Sequence, residues 1–405
     1  MSRRVAITGI GTISALGLNR HDFWTSLRNG VTGITPLTGY KPGTFKFPNG
    51  AEARNFDPLT VLDPKDAGFL DRFAQMGIAA AIEAIDDSGI QWTRALQEQT
   101  AIVTGSALGG KYSEDEGYRQ LYEQKLSRFN PMSIPKAMMN ALTSRISMHY
   151  GITGPGWTVS TACSSSNHAI GQAFEQVRYG HAELAIAGGT DAPFTQGVLR
   201  AWEALRVVSP TTCCPFSRDR DGLILGEGAA ILILEPLDAA LARGATIYCE
   251  LAGFGMSSDA HHITQPSPEG AARAMRLALR NSNLDTANIG YINAHGTGTL
   301  ANDSSETAAI RMVFGAHADR LAVSSTKSMH GHALGAAGAL EAAATALSLH
   351  HGTLPPTINF TIAGDDCDLD YVPNTARTIY VEAALSNSFA FGGLNAVLVF
   401  RSRSI

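Results

Sequence analysis

Short apolar runs recur along the chain, and longer stretches separate them in which apolar positions return every three or four residues. VAITGIG (5–11), AIVTGSA (101–107), ELAIAGG (183–189) and AILILEP (230–236) are continuous enough to predict strands buried on both faces. YCELAGFG (248–255), GYINAHG (290–296), RLAVSST (320–326) and AVLVFRS (396–402) read the same way. Between them, 71–88, 165–179, 269–282, 303–314 and 335–350 have helical spacing. This alternation predicts an α/β fold, with helices on the faces of a largely parallel sheet. The last helix, GAAGALEAAATALSLH, is small-residue all round and predicts a central helix packed on every side.

The pattern occurs twice. Each half opens with a strand ending in G-x-G (5–11 and 248–255) and later has a small-residue helix after a strand (163–179 and 335–350). Two copies of one layered unit are expected, 1–247 and 248–405, joined near residue 240 into one compact body without a Pro/Ser-rich linker. The least regular region, 108–160, has the charged run KYSEDEGYRQLYEQKLSR and then Met-rich PMSIPKAMMN. It reads as an insertion that covers a pocket or a subunit interface.

Composition narrows the classes. The chain has 405 residues, 44% hydrophobic and 17% charged, which is ordinary for a globular protein. A net charge of −5 with no basic stretch gives no footprint for nucleic acid. Five cysteines (163, 213, 214, 249, 367) without C-x-x-C spacing argue against a disulfide framework and a structural zinc, and suit a cytoplasmic protein. The opening MSRRVAITGIGTISALGL reads as a buried strand entering a glycine turn, not as an export signal, and no apolar run is long enough for a spanning helix.

Several tempting motifs fail. GIGTISALG departs from the dinucleotide fingerprint at Ser14, where the third glycine belongs. GSALGGKY (105–112) fits the phosphate-loop pattern until Tyr112, which stands where a Ser or Thr must hold Mg²⁺. The pairs His330/His332 and His261/His262 lack carboxylates or thiols at metal spacing.

The stretch WTVSTACSSSNHAIGQAF (157–174) puts Cys163 where a strand gives way to a helix. A helix start lowers a thiol's pKa, and the small neighbours Ala162, Ser164, Ser165 and Ser166 leave backbone N–H groups open to an oxyanion. A buried structural cysteine is the other reading of such a residue. NAHGTGT (293–299) offers His295 at a strand end, and SSTKSMHGHALGAAGALE (324–341) offers Lys327 and His332 before the small-residue helix. Two histidines at equivalent strand ends plus a cysteine at a helix start form a more specific constellation, since α/β sites gather at such ends.

With TACSSS, RDRDGLILGEGAA, ELAGFGMSSDAHHIT, PPTIN and NSFAFGGLN also present, nearly the whole chain resembles a β-ketoacyl-[acyl-carrier-protein] synthase of the type II class, in the thiolase superfamily. The resemblance implies a thiolase-like fold of two α-β-α-β-α halves and a Cys163–His295–His332 triad. It also implies elongation of an acyl chain on Cys163 by decarboxylative condensation with a malonyl group. Lys327 and Glu341 would orient His332, Asp303 and Glu306 would back the active-site loop, and Thr297 and Thr299 would bond the phosphopantetheine amides. Phe391, on a hinge of Gly392 and Gly393, would gate the acyl pocket and lend its N–H to the oxyanion hole, with 259–266 as a second mobile loop. The family needs no metal or redox cofactor, works with acyl-carrier protein, and forms homodimers or heterodimers with a chain-length partner.

Departures matter too. Leu394 stands where a threonine is usual, and Lys111, Tyr112 and Ser133 fall in stretches expected to line an apolar acyl pocket. Lys65, Arg128 and Arg206 remain on the expected carrier-docking face, but Gly68 and Phe69 replace basic residues. Both departures suit a specialised polyketide or polyene pathway as the alternative to bulk fatty-acid synthesis. A non-catalytic acyl- or carrier-binding module is the remaining reading, and it requires an idle triad.

Overall fold

The computed structural model describes residues 2–403. Its main sheet has ten strands: β1 (Val5–Ser14), β2 (Thr100–Gly105), β3 (Gly156–Val159), β4 (Leu184–Asp191), β5 (Gly228–Pro236), β6 (Cys249–Ser258), β7 (Ile289–Asn293), β8 (Ala322–Ser324), β9 (Ala383–Ala390) and β10 (Leu394–Arg401). Read outward from the centre, β1-β5-β4-β2-β3 lies on one side and β6-β10-β9-β7-β8 on the other. Each strand of the second series is the fifth one after its counterpart. The directions repeat as well. In the first series β1·β5 and β5·β4 are antiparallel, and β4·β2 and β2·β3 are parallel. In the second, β6·β10 and β10·β9 are antiparallel, and β9·β7 and β7·β8 are parallel. The two leaves meet antiparallel at Val5–Leu251, Ala6–Glu250 and Ile7–Cys249.

The sheet is therefore mixed and not largely parallel. Alternation of strands and helices does not reveal that β9 and β10 form a hairpin, nor that β5 returns between β1 and β4.

The positioning helices are α1 (Arg72–Ser88), α2 (Lys111–Tyr122), α3 (Ser165–Arg178), α4 (Gln196–Leu205), α5 (Pro268–Ser282), α6 (Leu300–Phe314) and α7 (Ala337–His351). Helix α1 packs on β1 and β5, and α5 packs on β6 and β10, each within its own half. Helices α3 and α7 touch each other and strands of both halves. The layers thus run outer helix, leaf, inner helix pair, leaf, outer helix. Every residue of α7 from Ala337 to Leu349 is buried, which its alanines permit because they let backbones approach on all sides.

Glycine decides the outer contacts. A Cβ on Gly11 would lie 2.0 Å from the Ala80 carbonyl, and one on Gly255 would lie 2.4 Å from that of Ala274. The repeated G-x-G thus admits α1 and α5, and β1 runs straight through its glycines to Ser14 without the turn expected there. At Gly110 a Cβ would lie 2.4 Å from the Lys136 carbonyl, so chain already fills the space beside the glycine-rich loop. Among the described residues, no helix is long and apolar enough to cross a membrane.

Candidate active site

Beyond β3 the chain turns through Ala162, whose φ of 51° is left-handed, and α3 begins at Ser165. Cys163 is thus two residues short of the helix. Its side chain lines a cavity of about 250 Å³ together with His295, His332, Thr297, Thr299, Phe389, Phe391 and Trp202. The expected thiolate is not what this setting favours. Burial pushes the Cys163 thiol up to about 12, with the Lys327 ammonium and the backbone N–H groups of Cys163 and Phe391 pulling it down. A helix terminus contributes about 2 kcal/mol at most, whereas carrying an unpaired anion out of water costs more, so the resting sulfur is a neutral thiol.

The two histidines come from equivalent places, His295 just beyond β7 and His332 beyond the short turn after β8. Their ring centroids lie 5.4 Å apart, nearly perpendicular at 86°. His332 is pinned by its backbone: its N–H donates to Ile224 O at 2.7 Å and its carbonyl accepts from Gly226 N at 2.9 Å. The N–H of Leu334 donates to His332 Nδ1 at 3.3 Å, which leaves the ring proton on Nε2. His295 Nδ1 faces Lys327 Nζ at 3.3 Å, and that ammonium also donates to the His295 carbonyl at 2.6 Å and forms an ion pair with buried Glu341. Its ring proton is placed on Nε2 as well. Burial first, and Lys327 next, hold both imidazoles well below their ordinary value, so both are neutral N–H donors.

Lys327 therefore orients His295, not His332 as the resemblance implied. Gly331, at a φ of 68°, turns the chain between Lys327 and His332.

Two buried carboxylates hold the His295 loop from beneath. Glu306 accepts the N–H groups of His295 at 2.9 Å and Gly296 at 2.8 Å, plus the Asn387 amide at 3.0 Å. Asp303 accepts from Phe216 N at 2.8 Å and Gly298 N at 3.3 Å, with Arg220 behind it at 3.8 Å. Burial pushes both carboxyls up, Asp303 to about 6, against these donors.

The two expected loops meet at the mouth. Phe391, Gly392 (φ 82°) and Gly393 (φ 70°) make the turn between β9 and β10. Gly392 N donates to Ile263 O at 2.7 Å, and Asp259 N donates to Gly393 O at 2.9 Å, so the 259–266 segment and the Phe391 turn are bonded together. The Thr297 and Thr299 hydroxyls are 2.8 Å apart. Leu394 starts β10 opposite Ala390.

Some residues lie elsewhere. Tyr112 and Ser133 line a separate hollow with Asp71 and Lys136, and Lys111 pairs with Glu114, so none of the three polar departures faces the Cys163 cavity. Helix α2 carries Lys111 and Tyr112, and a separate short helix, Ser133–Ala137, carries Ser133. His330 is buried outside the cavity, bonded to Thr326 Oγ1 and Gly331 O, both at 2.9 Å. Lys65, Gly68, Phe69, Arg128 and Arg206 are all exposed. Trp202 of α4, which the sequence did not single out, stacks on Phe391 at 6.1 Å. Its only signal was a tryptophan within an amphipathic stretch. Behind the site, both polar atoms of the Asn293 side chain, the Ser386 and Ser388 hydroxyls, and Glu341 Oε2 are buried without a partner. Among the described residues, no three His, Cys, Asp or Glu side chains are placed to share a metal ion.

The chain is similar to known proteins along its whole length. The family model "Beta-ketoacyl synthase, N-terminal domain" matches residues 2–240, and "Beta-ketoacyl synthase, C-terminal domain" matches 248–361. "Nodulation protein E" of Rhizobium sp. (strain N33) is 44% identical over 401 residues, covering 99% of this chain and 100% of the relative. "3-oxoacyl-[acyl-carrier-protein] synthase 2" of Coxiella burnetii is 41% identical over 405 residues, 98% of each. Among solved structures, "The ishigamide ketosynthase/chain length factor" superposes with a TM-score of 0.94 at 36% identity, covering 100% of both chains. A type II PKS acyl-carrier protein in complex with its ketosynthase, AntDE:AntF, gives 0.92 at 30% identity, again over 100% of both. With a thiol and two neutral imidazoles around one cavity, in a chain matched by both halves of the model, the protein belongs to the β-ketoacyl synthase family.

Proposed function

We propose that the chain is a 3-oxoacyl-[acyl-carrier-protein] synthase that condenses an acyl group held on Cys163 with a malonyl thioester. The observation that carries this reading is the placement of the Cys163 thiol and two neutral imidazoles, each with its Nδ1 side occupied, around one cavity.

In the first half-reaction the Cys163 sulfur attacks an acyl thioester, the acyl C–S bond to the carrier breaks, and the Cys163 proton passes to the departing carrier sulfur. The oxyanion that forms is held by the N–H groups of Cys163 and Phe391, the two backbone donors that also favour a charge on the sulfur. In the second, the malonyl thioester loses CO₂, and the electron pair of the broken C–C bond moves onto the thioester oxygen. The Nε2–H groups of His295 and His332 stabilise that enolate, each donor contributing about 3 kcal/mol. The enolate carbon then bonds to the acyl carbon, the C–S bond to Cys163 breaks, and the sulfur regains a proton. Thr297 and Thr299 hold the phosphopantetheine arm, and Phe391 on its glycine pair gates entry. No resident metal or redox group takes part in this route. The partner is an acyl-carrier protein met by Lys65, Arg128 and Arg206, and the five free cysteines suit the cytoplasm.

Strand β3 ends the sheet with one side unpaired, and Tyr122, Ile134 and Met148 of the neighbouring insertion are exposed. We assign this face to a second subunit, either an identical copy or a chain-length partner. The second possibility belongs to a specialised pathway, and the likeness to a nodulation protein and to a ketosynthase/chain length factor favours it.

The test supplies acyl- and malonyl-carrier protein and follows CO₂ and mass. An acyl adduct on Cys163 and a β-keto product two carbons longer are expected. Unmodified protein without CO₂ release would instead mean a binding module. A ladder of saturated and unsaturated acyl groups separates bulk from specialised synthesis.

A further inference from the structure

Asp191, the last residue of β4, is fully buried, and among the described residues no cation pairs with it. Its carboxylate is held by four neutral donors: Oδ1 accepts from Ser106 Oγ at 2.8 Å and Leu108 N at 3.1 Å, and Oδ2 from Ala107 N at 2.9 Å and Gly335 N at 2.7 Å. Three of these follow β2 in the first half of the chain, and the fourth belongs to the turn that precedes α7 in the second.

That turn also sets His332. Leu334 N donates to His332 Nδ1, and the next N–H, that of Gly335, donates to Asp191. Leu334 sits at a φ of 51°, a conformation costly for a branched side chain that persists only where its surroundings impose it. A Cβ on Gly335 would lie 2.5 Å from Asp191 Oδ2 and 2.4 Å from Ala107 N, so the carboxylate and the turn are in closest contact.

We propose that Asp191 is a positioning residue for carbon–carbon bond formation, fixing the Leu334–Gly335 turn and, through it, the tautomer and orientation of the His332 ring. This rests on the function proposed above. Two consequences follow from one side chain. Loss of the carboxylate frees the turn, so His332 no longer presents Nε2–H to the enolate. It also removes a negative charge that adds to burial in raising the Cys163 thiol.

The test compares Asp191→Ala with Asp191→Asn. The Ala variant leaves all four donors bare, and decarboxylation of malonyl-carrier protein is expected to fall roughly 10²-fold, the cost of a misplaced group. Acylation of Cys163 does not fall with it. The Asn oxygen still accepts from Ala107 and Gly335 while Ser106 turns to accept from the amide, and only the Leu108 N–H loses its acceptor, so most of the decarboxylation returns. In both variants Cys163 alkylation shifts to lower pH, with a rate at pH 8 about threefold higher, or half a pKa unit. Decarboxylation at the wild-type rate in Asp191→Ala, or an equal loss in both variants, overturns the proposal. Should the Ala variant not fold, Asp191→Asn decides through its alkylation profile and the ring-nitrogen shifts of His332: an unmoved profile or a changed Nδ1 acceptor overturns it. A wild-type protein that releases no CO₂ defeats the proposed function instead, and the alkylation profile still tests Asp191.

Discussion

Lys327 is bonded to His295 twice, its Nζ lying 2.6 Å from the carbonyl oxygen and 3.3 Å from Nδ1, while Glu341 takes the ammonium from below. One cation therefore fixes the backbone and the ring of the same histidine. Lys327→Ala leaves Glu341 buried and unpaired, and such losses cost about 3–5 kcal/mol. Chemical denaturation should show that drop. The double variant Lys327→Met/Glu341→Leu should regain much of the stability but not the decarboxylation, because His295 has lost its orienting donor. Equal recovery of both would mean that Lys327 serves only the fold.

Both imidazoles stay neutral, because burial and Lys327 depress them. An isolated histidine gains its proton near pH 6.5. Ring ¹⁵N shifts of His295 and His332 should instead stay constant from pH 8 to about pH 5.5, one unit below that value. Both should report Nε2–H. Titration of either ring near pH 6.5 would remove the pair of neutral donors on which enolate stabilisation rests.

The thiol moves the opposite way. Burial raises the Cys163 value, so the thiolate fraction grows about tenfold per pH unit until that value is passed. Alkylation of Cys163 by iodoacetamide, read by peptide mass, should climb steadily through pH 9 without a plateau. A plateau near neutral pH would show that the turn at Ala162 and the start of α3 stabilise the anion after all.

The gate offers a steric test. Gly393 lies at a φ of 70°, and an added Cβ would fall 2.5 Å from Asp259 Cβ. Gly393→Ala should therefore separate the Phe391 turn from the 259–266 segment and slow acylation of Cys163. Trp202→Ala removes the ring stacked on Phe391 and should speed entry of long acyl groups, by a few-fold in single-turnover mass kinetics. Unchanged rates in both variants would show that the turn does not control access.

Packing is tested at the repeated glycines. Gly11→Ala and Gly255→Ala each drive a methyl into a helix backbone, at 2.0 and 2.4 Å, and should cost at least about 1–3 kcal/mol. Comparable losses in thermal unfolding would match the equivalent places of α1 and α5.

Much of this was legible in the chain. The five helices expected at 71–88, 165–179, 269–282, 303–314 and 335–350 lie within a few residues of their observed bounds, because each has strong helical spacing or consists of small residues. Strand β9 was not legible. AALSNSFA lacks β-branched residues, and its buried Ser386, Asn387 and Ser388 are polar because they lie behind the site. Strand β3, four residues at the edge of the sheet, is absent from the apolar runs because it is short and partly exposed, and shows only as the β-branched stretch that leads into Cys163.

The sequence by itself determined the duplication, the inner helix and the identity of Cys163, His295 and His332, since periodicity, residue size and local motifs are properties of neighbouring positions. Only the tertiary structure decided that the sheet is mixed, that Lys327 serves His295, that the thiol rests protonated and that Asp191 grips the turn beside His332. Each of these depends on groups far apart in the chain. Strand direction follows the route of the connections, and the charge state of a buried group follows what surrounds it in space, neither of which a local pattern of residues contains.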